Sequence, residues 1–451
     1  MITRDDFQKI GLFDARVPRY TSYPPANHFN TQVGPSHMAQ WLRAVPRGGH
    51  VSLYLHIPYC RRLCWFCACR TQGTATDRPL RPYLDQLLAE LALVAAHLPA
   101  DVRVSRVHLG GGTPTILPPD MLRELGAALR AFRPFTRTAQ FSVEIDPTEV
   151  DAARLDALVE IGMTRASIGV QDFDPEVQQA IGRDQPFDLT RDVVAQLRAR
   201  GVRSVNMDVL YGLPYQTRDS LTETMRKVLL IRPDRLAMYG YAHVPWVARR
   251  QVMIPEKALP DGEARLNLFE TARRLMLWEG YREVGIDHFC LPEDGLALAS
   301  EMGTLRRNFQ GYTEENANAL IALGASAISR FPQGYAQNVS ASADYAAAIS
   351  QGRLATARGH ALSIDDLLRG GMIEELMCRF SIDVAGHARR FGMSVDEVTS
   401  LLVPLLSTCA AHLVVDGHQI ELTGPARHLA RIAAQTLDAY AAPGGRHSRA
   451  V

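Results

Sequence analysis

Val51-Ser-Leu-Tyr-Leu-His-Ile57, followed at once by Pro58-Tyr-Cys60-Arg-Arg-Leu-Cys64-Trp-Phe-Cys67, is the stretch whose reading decides the fold. Its first seven residues alternate and are bulky strand formers, so they read as a β-strand. The loop behind them carries C-x3-C-x2-C, with a further thiol, Cys69, two residues on. Thiolates are soft ligands that suit zinc and iron–sulfur clusters. A closed zinc site takes four ligands, commonly in Cys or Cys/His pairs, and neighbours as close as Cys67 and Cys69 cannot easily reach one tetrahedral ion. Three cysteines on one loop instead suit three corners of a four-iron cluster, whose fourth iron keeps an open position. A zinc knuckle is the competing reading.

Outward from this loop, strand and helix patterns alternate. Leu80, Leu84, Leu87, Leu88, Leu91 and Ala95 recur at helical spacing. Strand patterns follow at 102–109, 140–145, 165–170, 202–210 and 235–241. Helical patterns lie between them at 119–132, 152–161, 175–199 with a break near Pro186, and 217–231 with Thr217 as cap. Six strands, each followed by a helix, predict parallel βα units and an α/β fold of the partial (β/α) barrel kind. Active sites in such barrels lie at the C-terminal strand ends. The polar motifs fall there: after Ile57, after Leu109, at Glu144, at Gln171 and at Asp208.

The rest of the chain differs. Residues 1–45 form an arm whose Val17–Pro25 stretch holds three prolines and reads as a surface strap. Residues 46–360 are the expected barrel and its substrate-site extension, with a helix at 265–277, a loop Asn308-Phe-Gln-Gly-Tyr-Thr313 and a small-residue stretch at 317–328. Residues 361–451 read as a mostly helical C-terminal domain, with helices at 367–380 and 395–406. A hairpin around Asp416-Gly417 completes a winged-helix-like unit. The last ten residues are expected to be disordered.

Composition narrows the function. The chain has 451 residues, with 49 Lys+Arg against 48 Asp+Glu. That balance offers no electrostatic footprint for nucleic acid or an anionic membrane, and makes a cover for the site the expected role of the C-terminal unit. With no long apolar run and no secretory h-region, the expected compartment is the cytoplasm. Clustered cysteines there point to metal or redox chemistry rather than disulfides. No coiled coil or large apolar stripe marks an obligate dimer, so a monomer is expected.

The three-cysteine loop behind a first barrel strand resembles the radical S-adenosylmethionine (SAM) superfamily. Arg19-Tyr-Thr-Ser-Tyr-Pro24, Leu53–Pro58, Cys69, Gly110-Gly-Gly-Thr-Pro-Thr115, Gly169-Val-Gln-Asp-Phe173, Asp208–Pro214 and Asn308–Thr313 together resemble the oxygen-independent coproporphyrinogen III oxidase family. The resemblance implies that Cys60, Cys64 and Cys67 hold a [4Fe–4S] cluster and that two SAM molecules bind. It implies contacts to the first SAM from Tyr54, Gly111 and Glu144. Contacts around the pair or to the second come from Phe66, Gly112, Thr113, Gln171, Arg183, Asp208, Ala242 and Ile328. It assigns Cys69 to hydrogen or proton transfer, and Phe309 and Gln310 to closing the pocket.

The implied reaction turns two propionates of coproporphyrinogen III into vinyl groups, giving protoporphyrinogen IX. A small flavodoxin- or ferredoxin-like protein would supply electrons. Several arginines must meet the substrate carboxylates, with Arg19, Arg306 and Arg307 in family-like segments. Residue chemistry alone allows blander roles: the glycines as a tight turn, Glu144 and Asp208 as loop acids, Gln171 as a turn cap, Arg183 as a solvated helix charge, and Tyr54 and Cys69 as core. His56, His108 and His288 have ordinary strand or loop explanations. A haem-trafficking or haem-modifying radical-SAM relative is the alternative function. Cys69, the Arg-Tyr-Thr-Ser-Tyr-Pro arm and the Asn-Phe-Gln-Gly-Tyr-Thr loop speak against it.

Overall fold

The structure is a computed structural model that describes residues 4–441 and 447–450. Its strands, in chain order, are β1 (His50–Ile57), β2 (Arg103–Gly111), β3 (Phe135–Ile145), β4 (Arg165–Gln171), β5 (Ser204–Tyr211), β6 (Arg235–Gly240), β7 (Arg282–Val284) and β8 (His288–Cys290). They continue with β9 (Arg306–Asn308), β10 (Gly311–Thr313), β11 (Ala319–Leu323), β12 (Ile328–Phe331), β13 (Gly334–Asn338) and β14 (Thr356–Ala361). Twelve of these form one sheet in the order β14-β13-β12-β11-β1-β2-β3-β4-β5-β6-β8-β7. From β11 to β6 every neighbour is parallel.

The expected βα alternation is therefore present, but the parallel run has a seventh member. It is β11, from the small-residue stretch read without a strand. Its five residues pair in parallel with β1, a contact of long sequence separation. The long helical pattern at 175–199 is two helices, Pro175–Ala180 and Phe187–Ala199, with Pro186 as cap residue of the second. That at 395–406 is also two, Val395–Leu401 and Val403–Thr408, because Pro404 lacks the N–H that a continuous helix needs.

Alternation sorts each strand's side chains. On β1, Leu53, Leu55 and Ile57 join the apolar core with Leu84, Leu87 and Leu91 of the helix Leu80–His97. Ser52, Tyr54 and His56 point the other way, into the barrel. The barrel floor is closed by charge. Glu314, just after β10, accepts hydrogen bonds from Arg106 Nη2 (2.8 Å) and Gln140 Nε2 (3.0 Å). Arg165 and Arg235 approach it within 3.8 Å and 3.7 Å. Burial would raise this carboxyl, but Arg106, Arg235 and Arg165 outweigh it and hold it down to about 2. With the floor plugged at the strand starts, the C-terminal rim is left for chemistry.

A second core lies outside the barrel. The helix Ile364–Arg379, strand Ser381–Asp383, helix Val384–Phe391, the two short helices after it and the hairpin Leu413–Asp416/Gln419–Leu422 follow one another in winged-helix order. The strand Gln419–Leu422 lies centrally in their small sheet. The arm is not a surface strap. Leu12, Val17, Tyr20 and Tyr23 are buried in this second core beside Leu376 and Leu429, because proline-rich backbone outside the sheets can still bury its apolar side chains.

The tail is likewise partly ordered. Arg449 bridges to Arg16, and the Ala450 N–H donates to Ala15 O. The remaining residues of the expected disordered tail, 442–446 and 451, lie outside the described residues. Among the described residues no helix is long and apolar enough to cross a membrane.

Arg431 ties arm and tail together. Its buried guanidinium donates to the carbonyls of Val17, Pro18, Arg449 and Ala450. Arg431→Met strips these carbonyls of their donor. It is expected to cost about 2–4 kcal/mol in urea unfolding and to open the arm to limited proteolysis. Unchanged stability with an uncut arm would show that other groups hold the arm.

Candidate functional site

The cysteine loop leaves β1 at the rim and folds back over its end. The Gln72 N–H donates to Pro58 O (2.6 Å) and the Trp65 N–H to Ile181 O (2.9 Å). The glycine turn after β2 docks against it: Gly112 N–H donates to Ile57 O (2.8 Å) and Thr113 N–H to Tyr59 O (2.9 Å). A Cβ on Gly112 would lie 2.7 Å from Tyr59 O, and one on Gly111 would lie 2.4 Å from the His56 ring. These two positions admit only glycine, and Gly111 also has φ of +112°. This answers why a tight turn alone does not explain the three glycines.

The loop thiols are free and partly exposed. Burial pushes the Cys60 thiol up to about 11, against a hydrogen bond to Thr113. Burial also raises Cys64, although Arg183 Nη1 lies 3.4 Å from its sulfur. Cys67 differs: the thiol of Cys69 donates to its sulfur and holds it below the usual thiol range, towards the thiolate that binds metal. The same contact pushes Cys69 upward. Cys69 is solvent-exposed yet lies close to Cys67, Glu144 and Cys60.

Glu144, on β3, is clamped. Its Oε1 accepts from His108 Nε2 (3.1 Å) and its Oε2 from the Gly111 N–H (3.0 Å). Burial alone would raise this carboxyl; His108 and the Gly111 peptide outweigh it and hold it below the usual range. Tyr54 stacks on His108 with centroids 5.6 Å apart, and its hydroxyl meets His56 Nδ1 at 3.0 Å. The His56 Nε2 contact is a carbonyl, Arg70 O at 3.0 Å, so Nε2 donates. Burial keeps His56 neutral, so Nδ1 accepts from Tyr54.

Asp208, on β5, has only neutral partners. Asn206 Nδ2 donates to its Oδ1 (2.9 Å) and the Ser167 hydroxyl to its Oδ2 (3.3 Å). Burial dominates and pushes it up to about 6. Arg183 is no solvated helix charge. It is largely covered, donates to Gly169 O (2.9 Å) and lies 3.4 Å from Asp146 Oδ2. Gln171 ends β4 with φ of +67° and is buried. Gln251 Nε2 donates to both Phe66 O (2.7 Å) and Ala242 O (3.0 Å), tying the cysteine loop to the segment after β6.

The structure thus brings the cysteines, Phe66, the glycine turn, Thr113, Tyr54, Glu144, Arg183 and Ala242 into direct contact chains. Ile328 opens β12 at the same rim but touches none of these in the hydrogen-bond network. Phe309 and Gln310 form the β9–β10 tip, where Phe309 packs on Tyr335 (5.9 Å) and Phe29 of the arm (6.5 Å).

Residues missed in the sequence are His108, His56, Asn206, Ser167, Asp146 and Gln251. Period-2 alternation on β2, where Arg106, His108 and Gly110 share a face, would have picked out His108. The Gln251 contact carried no local signal.

A parallel sheet with a three-cysteine loop at its C-terminal rim defines a radical SAM protein, and residues 54–228 match the family model described as the Radical SAM superfamily. The chain is 52% identical over 452 residues to the oxygen-independent coproporphyrinogen III oxidase of Paracoccus denitrificans (strain Pd 1222), covering 100% of each. It is 54% identical over 440 residues to that of Cereibacter sphaeroides, covering 97% of each. The solved structure of coproporphyrinogen III oxidase (HemN) from Escherichia coli, a radical SAM enzyme, superposes with a TM-score of 0.89 at 34% identity. That match covers 95% of this chain and 100% of that one. This chain belongs to the oxygen-independent coproporphyrinogen III oxidase family.

The residues present fit the [4Fe–4S] cluster and SAM that this membership brings. Among the described residues no three Cys, His, Asp or Glu side chains converge on a point that would hold one ion. The three thiols stand on one loop, and a cluster takes each thiolate at its own corner. Glycine clearance at the turn and the two inward carboxylates suit a ligand bearing an ammonium group and hydroxyls.

The raised Asp208 sets a pH dependence. A carboxyl whose folded pKa lies above its unfolded value opposes folding once ionised. That cost is absent below about 4, grows as pH rises and is complete above about 6. Asp208→Asn is therefore expected to raise the melting temperature at pH 8, with the gain vanishing towards pH 4. A gain that does not depend on pH would refute the electrostatic account.

Proposed function

We propose that this protein carries out the oxygen-independent oxidative decarboxylation of two propionate side chains of coproporphyrinogen III, giving protoporphyrinogen IX for haem synthesis. The observation that carries the reading is the cysteine loop, hydrogen-bonded to the glycine turn at the barrel rim, in a chain full-length related to oxidases of that name. Cys60, Cys64 and Cys67 would hold three irons of a [4Fe–4S] cluster. The chemistry that cluster and SAM supply when bound is reductive cleavage of the sulfonium and removal of a hydrogen atom from the substrate. Each propionate that becomes vinyl then gives up one electron and carbon dioxide.

The chain's own residues bind, orient and shield. Glu144, held ionised, accepts from an ammonium group or hydroxyls. Asp208, with Asn206 and Ser167 beside it, and Gln171 accept ribose hydroxyls. Arg183, with its planar fork, meets a carboxylate. Tyr54, whose hydroxyl burial keeps protonated, supplies a face beside His108. Phe66, Gly111, Gly112, Thr113, Ala242 and Ile328 line the space for two SAM molecules.

Cys69 is positioned to pass a hydrogen atom or proton at its sulfur, and Phe309 and Gln310 close the pocket. The working division is an arm over 1–45, a catalytic barrel and substrate-site extension over 46–360, and a covering C-terminal unit over 361–451. A small flavodoxin- or ferredoxin-like reductant, a monomeric state and a cytoplasmic location complete the reading.

The test is anaerobic. Reconstituted and reduced protein, given SAM and coproporphyrinogen III, should yield protoporphyrinogen and 5′-deoxyadenosine by chromatography. Cys64→Ala should abolish both. Formation of 5′-deoxyadenosine with coproporphyrinogen untouched would overturn the substrate. Absence of both, in a protein without iron, would overturn the cluster.

A further inference from the structure

Between the ends of β5 and β6 and the C-terminal unit lies a cavity of about 470 Å³. Seven arginines line it against three carboxylates. Such an excess at an enclosed surface favours a ligand carrying several negative charges. One arginine is set up differently from the rest. Arg307, on β9, is 6% exposed and lies over the Tyr312 ring at 4.5 Å. Its Nη2 is 3.8 Å from Asp287 Oδ2, and Asp287 is already engaged by His288 Nδ1 at 2.7 Å. Its Nε and Nη1 have no hydrogen-bond partner among the described residues. A buried guanidinium with spare N–H groups is unfavourable until an acceptor arrives. Arg427, from the C-terminal unit, faces the same cavity over Phe380 at 4.8 Å, with its Nε also unpartnered.

The cavity adjoins the candidate site. Asp208 pairs with Ala237 on β6. Two residues on, the Tyr239 ring meets His288 at 5.7 Å, and His288 meets Tyr312, under Arg307, at 5.1 Å. Arg307 also stands two residues from Phe309 on one hairpin. A ligand anchored at Arg307 therefore reaches towards the hairpin tip and the rim.

We propose that this cavity is the anchoring subsite for carboxylate side chains of the tetracarboxylate substrate that are not reacting, with Arg307 as the buried ligand and Arg427 as the ligand at its mouth. This rests on the function proposed above and names residues that it leaves open. Anchoring here places the opposite edge of the macrocycle towards the cysteine loop. It also makes carboxylates, rather than the ring alone, the feature that selects the substrate.

The experiment is a fluorescence titration of the reconstituted full-length protein under anaerobic conditions. The probes are coproporphyrin III, the stable oxidised form with the same four carboxylates, and its tetramethyl ester. The expected result is saturable binding of the acid, at least tenfold weaker binding of the ester, and a roughly 10- to 100-fold loss of affinity for the acid in Arg307→Gln. Arg427→Gln should lose about tenfold, and Arg307→Lys should recover part of the loss. Should Arg307→Gln fail to fold, Arg427→Gln, at a partly exposed side chain, decides alone. Wild-type affinity in the folded Gln variants, or equal binding of acid and ester, overturns the subsite. Turnover of coproporphyrinogen III by the wild type in that case leaves the function standing. Absence of turnover by the wild type removes the function itself, whatever the titration shows.

Discussion

Strand β1 exchanges hydrogen bonds with β11 along one side and β2 along the other, all three running the same way. Every strand from β11 to β6 inherits that direction, so their C-terminal ends share one rim. The cysteine loop leaves β1 there, and the glycine turn leaves β2 beside it. Contact between the two is backbone to backbone, from Gly112 to Ile57 and from Thr113 to Tyr59. Any side chain on Gly112 would push the turn off the loop. The position of the thiols therefore follows from strand direction and from the absence of a Cβ.

Two carboxylates at that rim behave oppositely for a plain electrostatic reason. Glu144 is met by a histidine and a peptide N–H, so its charge is favoured despite burial. Asp208 is met only by an amide and a hydroxyl, so burial prevails. Below the rim, three arginines around Glu314 close the floor with charge rather than with apolar packing. The β9–β10 hairpin joins the two levels. Thr313, which accepts from Arg106 at 2.8 Å, belongs to the floor, while Phe309 and Gln310 form the upper tip.

Segments far apart in the chain converge beside the rim. Arg19 of the arm donates to Gly240 O at the end of β6 (2.6 Å). The arm then buries its aromatic side chains in the C-terminal core, and Arg431 binds arm and tail together. The cavity with Arg307 is walled by both regions, so it exists only when they are docked.

The barrel strands and their helices were legible because parallel βα units write their periodicity locally: alternation on β1, helical leucine spacing after it, proline at the break near 186. The three loop thiols were legible as a spacing, and family resemblance extended that to Glu144, Arg183 and Asp208. Strand β11 was not legible, since its five apolar residues show no alternation and its parallel partner, β1, lies far away in the chain. Nor was the buried course of the arm, the histidine clamp on Glu144, the Gln251 tie or the spare N–H groups of Arg307. Each of these is set by a partner tens to hundreds of residues away. Sequence by itself determined which chemistry the chain carries and on which strand ends it sits, because those depend on residue type and short-range period. Only the tertiary structure decided which charges are paired, which loop thiol a neighbour holds down and where a cavity opens, because burial and distance come from the packing of remote segments.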